Sequence, residues 1–64
     1  MSADPSSPKV LAVTGGGQGI GRAIALHFAD AGYAVSVADT DARAGHETLR
    51  LLKARGARAA FFRT

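Results

Sequence analysis

Cysteine and tryptophan are absent from this 64-residue chain, and it holds only two prolines, one tyrosine and three phenylalanines. Without cysteine there is no disulfide framework and no thiolate metal site, which suits a reducing compartment. A chain this short must then stand on its apolar core alone. Long hydrophobic runs are missing too. The apolar run nearest the start is Val10 to Val13, far below the ~18 residues that a membrane span needs. The opening MSADPSSP has no cationic start followed by an apolar block, so it does not read as a secretory signal. A cytoplasmic protein with no membrane partner is expected.

What is present favours globular packing. Hydrophobic residues make up 47% of the chain, too many for a typical disordered segment. The length sets a ceiling of one small domain or a piece of a larger one, since a ~60-residue domain buries only about 60% of its unfolded surface. The net charge is +3, with Arg50, Lys53, Arg55 and Arg58 clustered late in the chain. These cations surround an expected helix C-terminus, where they complement the macrodipole, so a solvated helix end is expected and no nucleic-acid partner. His27 and His46 are too isolated to suggest a metal site or a nucleophile–base arrangement, and are expected on the surface or a helix flank.

Residues 1–8, with both prolines and three serines, read as a flexible leader, and residues 9–64 as the folded part. Val10 to Val13 form a short continuous apolar run that ends at Thr14, as in a strand covered on both faces. Ile20, Ala23, Ile24, Phe28 and Ala31 recur at helical spacing, giving an apolar face, with Gly32 as C-terminal cap. The run YAVSVAD, from Tyr33 to Asp39, reads as a second strand. A second helix follows, capped by Thr40 or Asp41, with Ala44, Thr48, Leu51, Leu52 and Arg55 on its inner side and Gly56 at its end. Gly45 inside that helix costs about 1 kcal/mol relative to alanine. ARAAFFRT reads as a third strand whose Phe61 and Phe62 point to opposite faces, so both faces are expected to be covered. Strand, helix, strand, helix, strand with short connections is the first βαβαβ half of a doubly wound parallel α/β sheet.

Between the first strand and helix, Gly15, Gly16, Gly17, Gly19 and Gly21 place five glycines in seven positions. A strand running through glycines into a helix leaves unpaired N–H groups at a positive dipole end, a site for an anion such as a diphosphate. Glycine permits otherwise forbidden backbone angles and lets phosphates approach closely. The general dinucleotide fingerprint, with glycines at offsets zero, two and five, is missing. So is a Gly-Lys-Ser/Thr ending, which disfavours a triphosphate-binding P-loop. The fit is to offsets zero, four and six, at Gly15, Gly19 and Gly21.

Thr14-Gly15-x-x-x-Gly19-Ile20-Gly21 after the first strand, followed by Arg22-Ala23-Ile24-Ala25, resembles the short-chain dehydrogenase/reductase family in its single-domain form, from about Lys9 to Thr64. The resemblance implies a Rossmann-type sheet and a dinucleotide cofactor. By the family's pattern Gly15, Gly19 and Gly21 line the diphosphate turn, Gly17, Gln18 and Ile20 lie along the ribose and nicotinamide side, and Thr14 steadies the turn. Gly16 is then the most replaceable of the five. Asp39 stands 24 residues after Gly15, at the end of the second strand. There a carboxylate can accept from both hydroxyls of the adenosine ribose, unless it merely caps the following helix. Family members that prefer NADP carry Arg or Lys at the places held here by Gln18 and Thr40, so NAD is expected over NADP.

The family's catalytic Tyr-x-x-x-Lys pair is missing: the sole tyrosine is Tyr33, and four residues on stands Val37. None of the serines is placed to polarise a substrate, so no catalytic residue is assigned. The chain is expected to be the N-terminal part of an enzyme of roughly 250 residues, folding weakly or not at all by itself. In that parent the resemblance implies hydride transfer between NAD(H) and an alcohol or carbonyl substrate, and a homo-oligomer. The alternative is a non-catalytic nucleotide-sensing or scaffolding protein of the same fold.

Overall fold

The computed structural model describes residues 9–64; the leader expected at residues 1–8 lies outside the described residues. Five elements follow in order: β1 (Val10–Thr14), α1 (Gly19–Asp30), β2 (Ala34–Asp39), α2 (Ala42–Ala54) and β3 (Ala59–Arg63). The strands form one parallel sheet in the order β1-β2-β3. Val10 pairs with Ala34 and Val13 with Val37, while Val35 pairs with Ala59 and Val37 with Phe61. This is the expected βαβαβ half of a Rossmann-type sheet.

Strand alternation decides what each residue faces. Leu11, Val13, Val35, Val37, Ala59 and Phe61 share one face and meet Ala25, Leu26 and Ala29 of α1 and Leu52 of α2. Val37 and Leu52 are fully buried, each contributing about 1.5–3 kcal/mol by leaving water. Both helices lie on this face. The opposite face, with Val10, Ala12, Ala34, Ser36, Ala38, Ala60 and Phe62, carries no helix. Within residues 9–64 one face is covered: Phe61 packs under α2, whereas Phe62 is exposed.

The elements end where local chemistry stops them. Gly32 (φ +92°) and Gly56 (φ +77°) follow the two helices in the left-handed conformation, and their N–H groups return to Ala29 and Lys53 carbonyls. Asp41 caps α2 by accepting from the Ala44 N–H at 3.1 Å. On the inner side of α2, Ala44, Gly45, Thr48 and Leu52 are buried. Leu51 is only half-buried, and Arg55 is exposed and clamps Asp30 of α1 through two contacts of 2.8 and 2.6 Å.

For α1 the expected inner face is corrected. Ile20 is 81% and Ile24 41% exposed, and Ala23 and Ala31 are exposed as well. The residues of α1 that meet the core are Ala25, Leu26 and Ala29, of which Ala25 is fully buried, with Gly21 half-buried at the helix start. The helix start lies so close to the preceding loop that a Cβ on Gly21 would overlap the Gly15 carbonyl. Glycine is thus required at this first turn, and Ile20 and Ile24 lie on the exposed flank.

Candidate dinucleotide site

β1 and β2 end side by side, and the glycine loop grows out of that edge. Gly15 continues the ladder, its N–H donating to the Ala38 carbonyl at 2.7 Å. Its φ of +67° then turns the chain, and Gly19, at φ +57°, makes the second left-handed turn into α1. Gly16 is buried against the sheet, where an added Cβ would stand 2.9 Å from Val37 Cγ1 and 3.2 Å from Val13 Cγ1. The expectation that Gly16 is the most replaceable glycine is therefore corrected: the packing of β1 and β2 beneath it leaves no room.

At the start of α1, Gln18 occupies the N-cap position but makes no side-chain capping bond. The first intrahelical bond of the turn is from the Arg22 N–H to the Gln18 carbonyl, so helix geometry leaves the N–H groups of Gly19, Ile20 and Gly21 without an intrahelical acceptor. The Gln18 amide turns instead to Asp41, its Nε2 donating to Oδ2 at 3.2 Å. Ile20 projects outward from the first turn, on the exposed flank of the helix.

Asp39 closes the site from β2. Its Oδ2 accepts from the Gly17 N–H and its Oδ1 from the Asp41 N–H, both at 2.9 Å. These donors, Asp41 first and then Gly17, hold the carboxyl below the usual carboxylate range; partial burial opposes them and the Thr40 N–H adds to them. The group is ionised at neutral pH. A carboxylate has about four lone-pair sites, so beside the Gly17 and Asp41 donors it keeps capacity for an incoming hydroxyl. Because Asp41 is the cap of α2, Asp39 is not spent on that role.

Two residues without an assigned part in the sequence reading join the site. Arg22 donates from Nη2 to the Gly17 carbonyl at 2.6 Å and from Nε to Thr48 Oγ1 at 2.9 Å. Thr48, fully buried on α2, donates to the same carbonyl at 3.1 Å. The available signal was a hydroxyl on the inner side of an amphipathic helix. Beside this network an open cleft of about 480 Å³ is lined by Gln18, Gly19, Arg22, Asp41, Arg43, Ala44 and Glu47.

Amides that the helix leaves unused suit a diphosphate, and a carboxylate with remaining acceptor capacity suits a ribose diol. Together with the parallel sheet they place the chain in the class of Rossmann-type α/β folds, with a candidate dinucleotide site at the carboxyl ends of the strands. Comparison with known proteins narrows the class: the family model described as short chain dehydrogenase matches residues 9–64. The chain belongs to the short-chain dehydrogenase/reductase family. It is 50% identical over 56 residues to an uncharacterized oxidoreductase of Thermotoga maritima, covering 88% of this chain and 22% of that protein. A Burkholderia phymatum short-chain dehydrogenase/reductase in complex with NAD superposes with a TM-score of 0.86 at 40% identity, over 89% of this chain and 20% of that one. A metagenomic short-chain oxidoreductase in complex with NADP superposes with a TM-score of 0.81 at 31% identity, over 86% of this chain and 25% of that one. The chain thus spans about a fifth of the length of the curated relative it matches. Dinucleotide binding is the property this family shares, and relatives are found with either cofactor.

Proposed function

We propose that this segment forms the adenosine and diphosphate half of an NAD site, in a cytoplasmic oxidoreductase that moves hydride between the nicotinamide and an alcohol or carbonyl carbon. The nicotinamide supplies the hydride chemistry when bound. The chain's own residues bind and orient: the α1 amides of Gly19, Ile20 and Gly21 take the diphosphate, and Asp39 takes the adenosine ribose. The observation that carries NAD over NADP is the Asp39 carboxylate, ionised and fixed by two backbone donors. A 2′-phosphate there would meet a second negative charge; Arg22 is already spent on the Gly17 carbonyl and Thr48, and Arg43 projects from α2. Gln18 is committed to Asp41, and Thr40 has no charge to offer.

The test replaces Asp39 with alanine and Thr40 with arginine in the full-length gene product and compares the affinities for NAD and NADP. Removing the repulsion and supplying a charged donor is expected to move the preference toward NADP by at least about tenfold. An unchanged ratio would overturn the assignment.

A further inference from the structure

Gly17 is gripped from both sides. Its N–H points at Asp39 Oδ2, and its carbonyl receives both the Arg22 guanidinium and the Thr48 hydroxyl. No side chain fits there: a Cβ would stand 2.6 Å from Asp39 Oδ2 and 2.9 Å from Ala44 Cβ. With no side chain of its own to anchor, the residue is held by what binds its carbonyl.

The direction of those bonds is forced. Arginine has donors only, so the 2.9 Å contact from Arg22 Nε makes Thr48 Oγ1 the acceptor. The one hydroxyl hydrogen of Thr48 is then left for the Gly17 carbonyl, 3.1 Å away. Arg22 Nη2 fills the other lone pair at 2.6 Å and also reaches the Ala44 carbonyl at 3.4 Å. Among the described residues no buried side-chain polar atom lacks a partner, so the network is fully satisfied as it stands.

We propose that Arg22 and Thr48 are positioning residues of the dinucleotide site: through the Gly17 carbonyl they fix the residue whose N–H aims the Asp39 carboxylate at the ribose diol. The inference rests on the dinucleotide reading above, and it makes the buried threonine of α2 a determinant of cofactor affinity.

Two substitutions separate positioning from packing. Thr48→Val keeps the volume and loses the hydroxyl, whereas Thr48→Ser keeps the hydroxyl and loses a methyl group. In the full-length gene product, NADH affinity measured by fluorescence titration is expected to fall about tenfold in Thr48→Val, and to stay within about twofold of the unmutated protein in Thr48→Ser. Arg22→Met should weaken binding at least as much as Thr48→Val. In the ligand-free protein, amide exchange at Gly17 should speed up about tenfold in Thr48→Val and not in Thr48→Ser. A purely packing role predicts the reverse order, with serine the worse of the two. Unchanged NADH affinity in Thr48→Val, or a serine variant as weak as valine, would overturn the positioning role alone. If the unmutated protein bound no NADH, the dinucleotide reading itself would fall, and the Gly17 exchange rates would still report whether the clamp exists.

Discussion

At residue scale the glycines of the loop divide by cause. Gly15 and Gly19 are fixed by angle, since both hold positive φ in open space. Gly16, Gly17 and Gly21 are fixed by room, because a Cβ would press into β2, into Asp39 and α2, or into the Gly15 carbonyl. Cofactor spacing alone ranks only Gly15, Gly19 and Gly21, and so misses Gly16 and Gly17, two of the three that pack. Gly16→Ala is the sharpest check, because its obstacles are buried valines of two paired strands. Val13 and Val37 are stiff at χ1 and have little space to yield. The substitution is expected to destabilise the full-length gene product by about 1–3 kcal/mol, read as a lower urea midpoint at unchanged slope. A midpoint equal to that of the unmutated protein would restore the view that this glycine is free.

At element scale, α2 shows how a local rule is overruled. Gly45 lies inside a continuous helix, where alanine is favoured by about 1 kcal/mol. The glycine persists because the Phe61 ring of β3 lies against its α-carbon, and a Cβ would overlap that ring. The ring is also held by His46, with centroids 4.8 Å apart, so it cannot swing aside without losing that contact. Gly45→Ala should therefore destabilise the protein in the presence of Phe61, and should stabilise it by up to about 1 kcal/mol in a Phe61→Ala background. Equal effects in both backgrounds, in a thermal double-mutant cycle, would exclude the ring as the cause. The order of elements, the turn glycines and the Asp41 cap were legible because each rests on nearby residues: alternation, spacing, one side-chain oxygen. The inner face of α1 was not, since that helix carries two apolar stripes. Ile20 and Ile24 outrank Gly21 and Ala25 in hydrophobicity, and only the closeness of the glycine loop reverses their order. The Arg22–Thr48–Gly17 network was hidden for a related reason, as it joins positions 26 and 31 residues apart.

At the scale of the whole molecule, the sheet is finished on one side only. Both helices cover the face with Val35 and Val37. On the other, Val10 and Phe62 remain 62% and 58% exposed around the small residues Ala34, Ser36 and Ala60. β1 is an open edge, with its backbone groups on one side unpaired. In doubly wound sheets the strand order 3-2-1-4 sets a fourth strand beside the first, and helices on both faces. The edge at β1 and the bare face at Phe62 are the kind of surface that a complete sheet of that order covers. Meanwhile few large side chains are fully buried: Leu52, Val37 and Thr48. Among the described residues that core is small against about 1–2 kcal/mol of backbone entropy for every ordered residue, and the sequence holds no cysteine to add a disulfide. We therefore expect the isolated 64-residue chain to unfold without a sharp heat-capacity peak, to bind a hydrophobic dye through its open face, and to bind NAD weakly if at all. Calorimetry and dye fluorescence on the purified chain check this directly. A single cooperative transition together with tight NAD binding would show instead that three strands and two helices suffice.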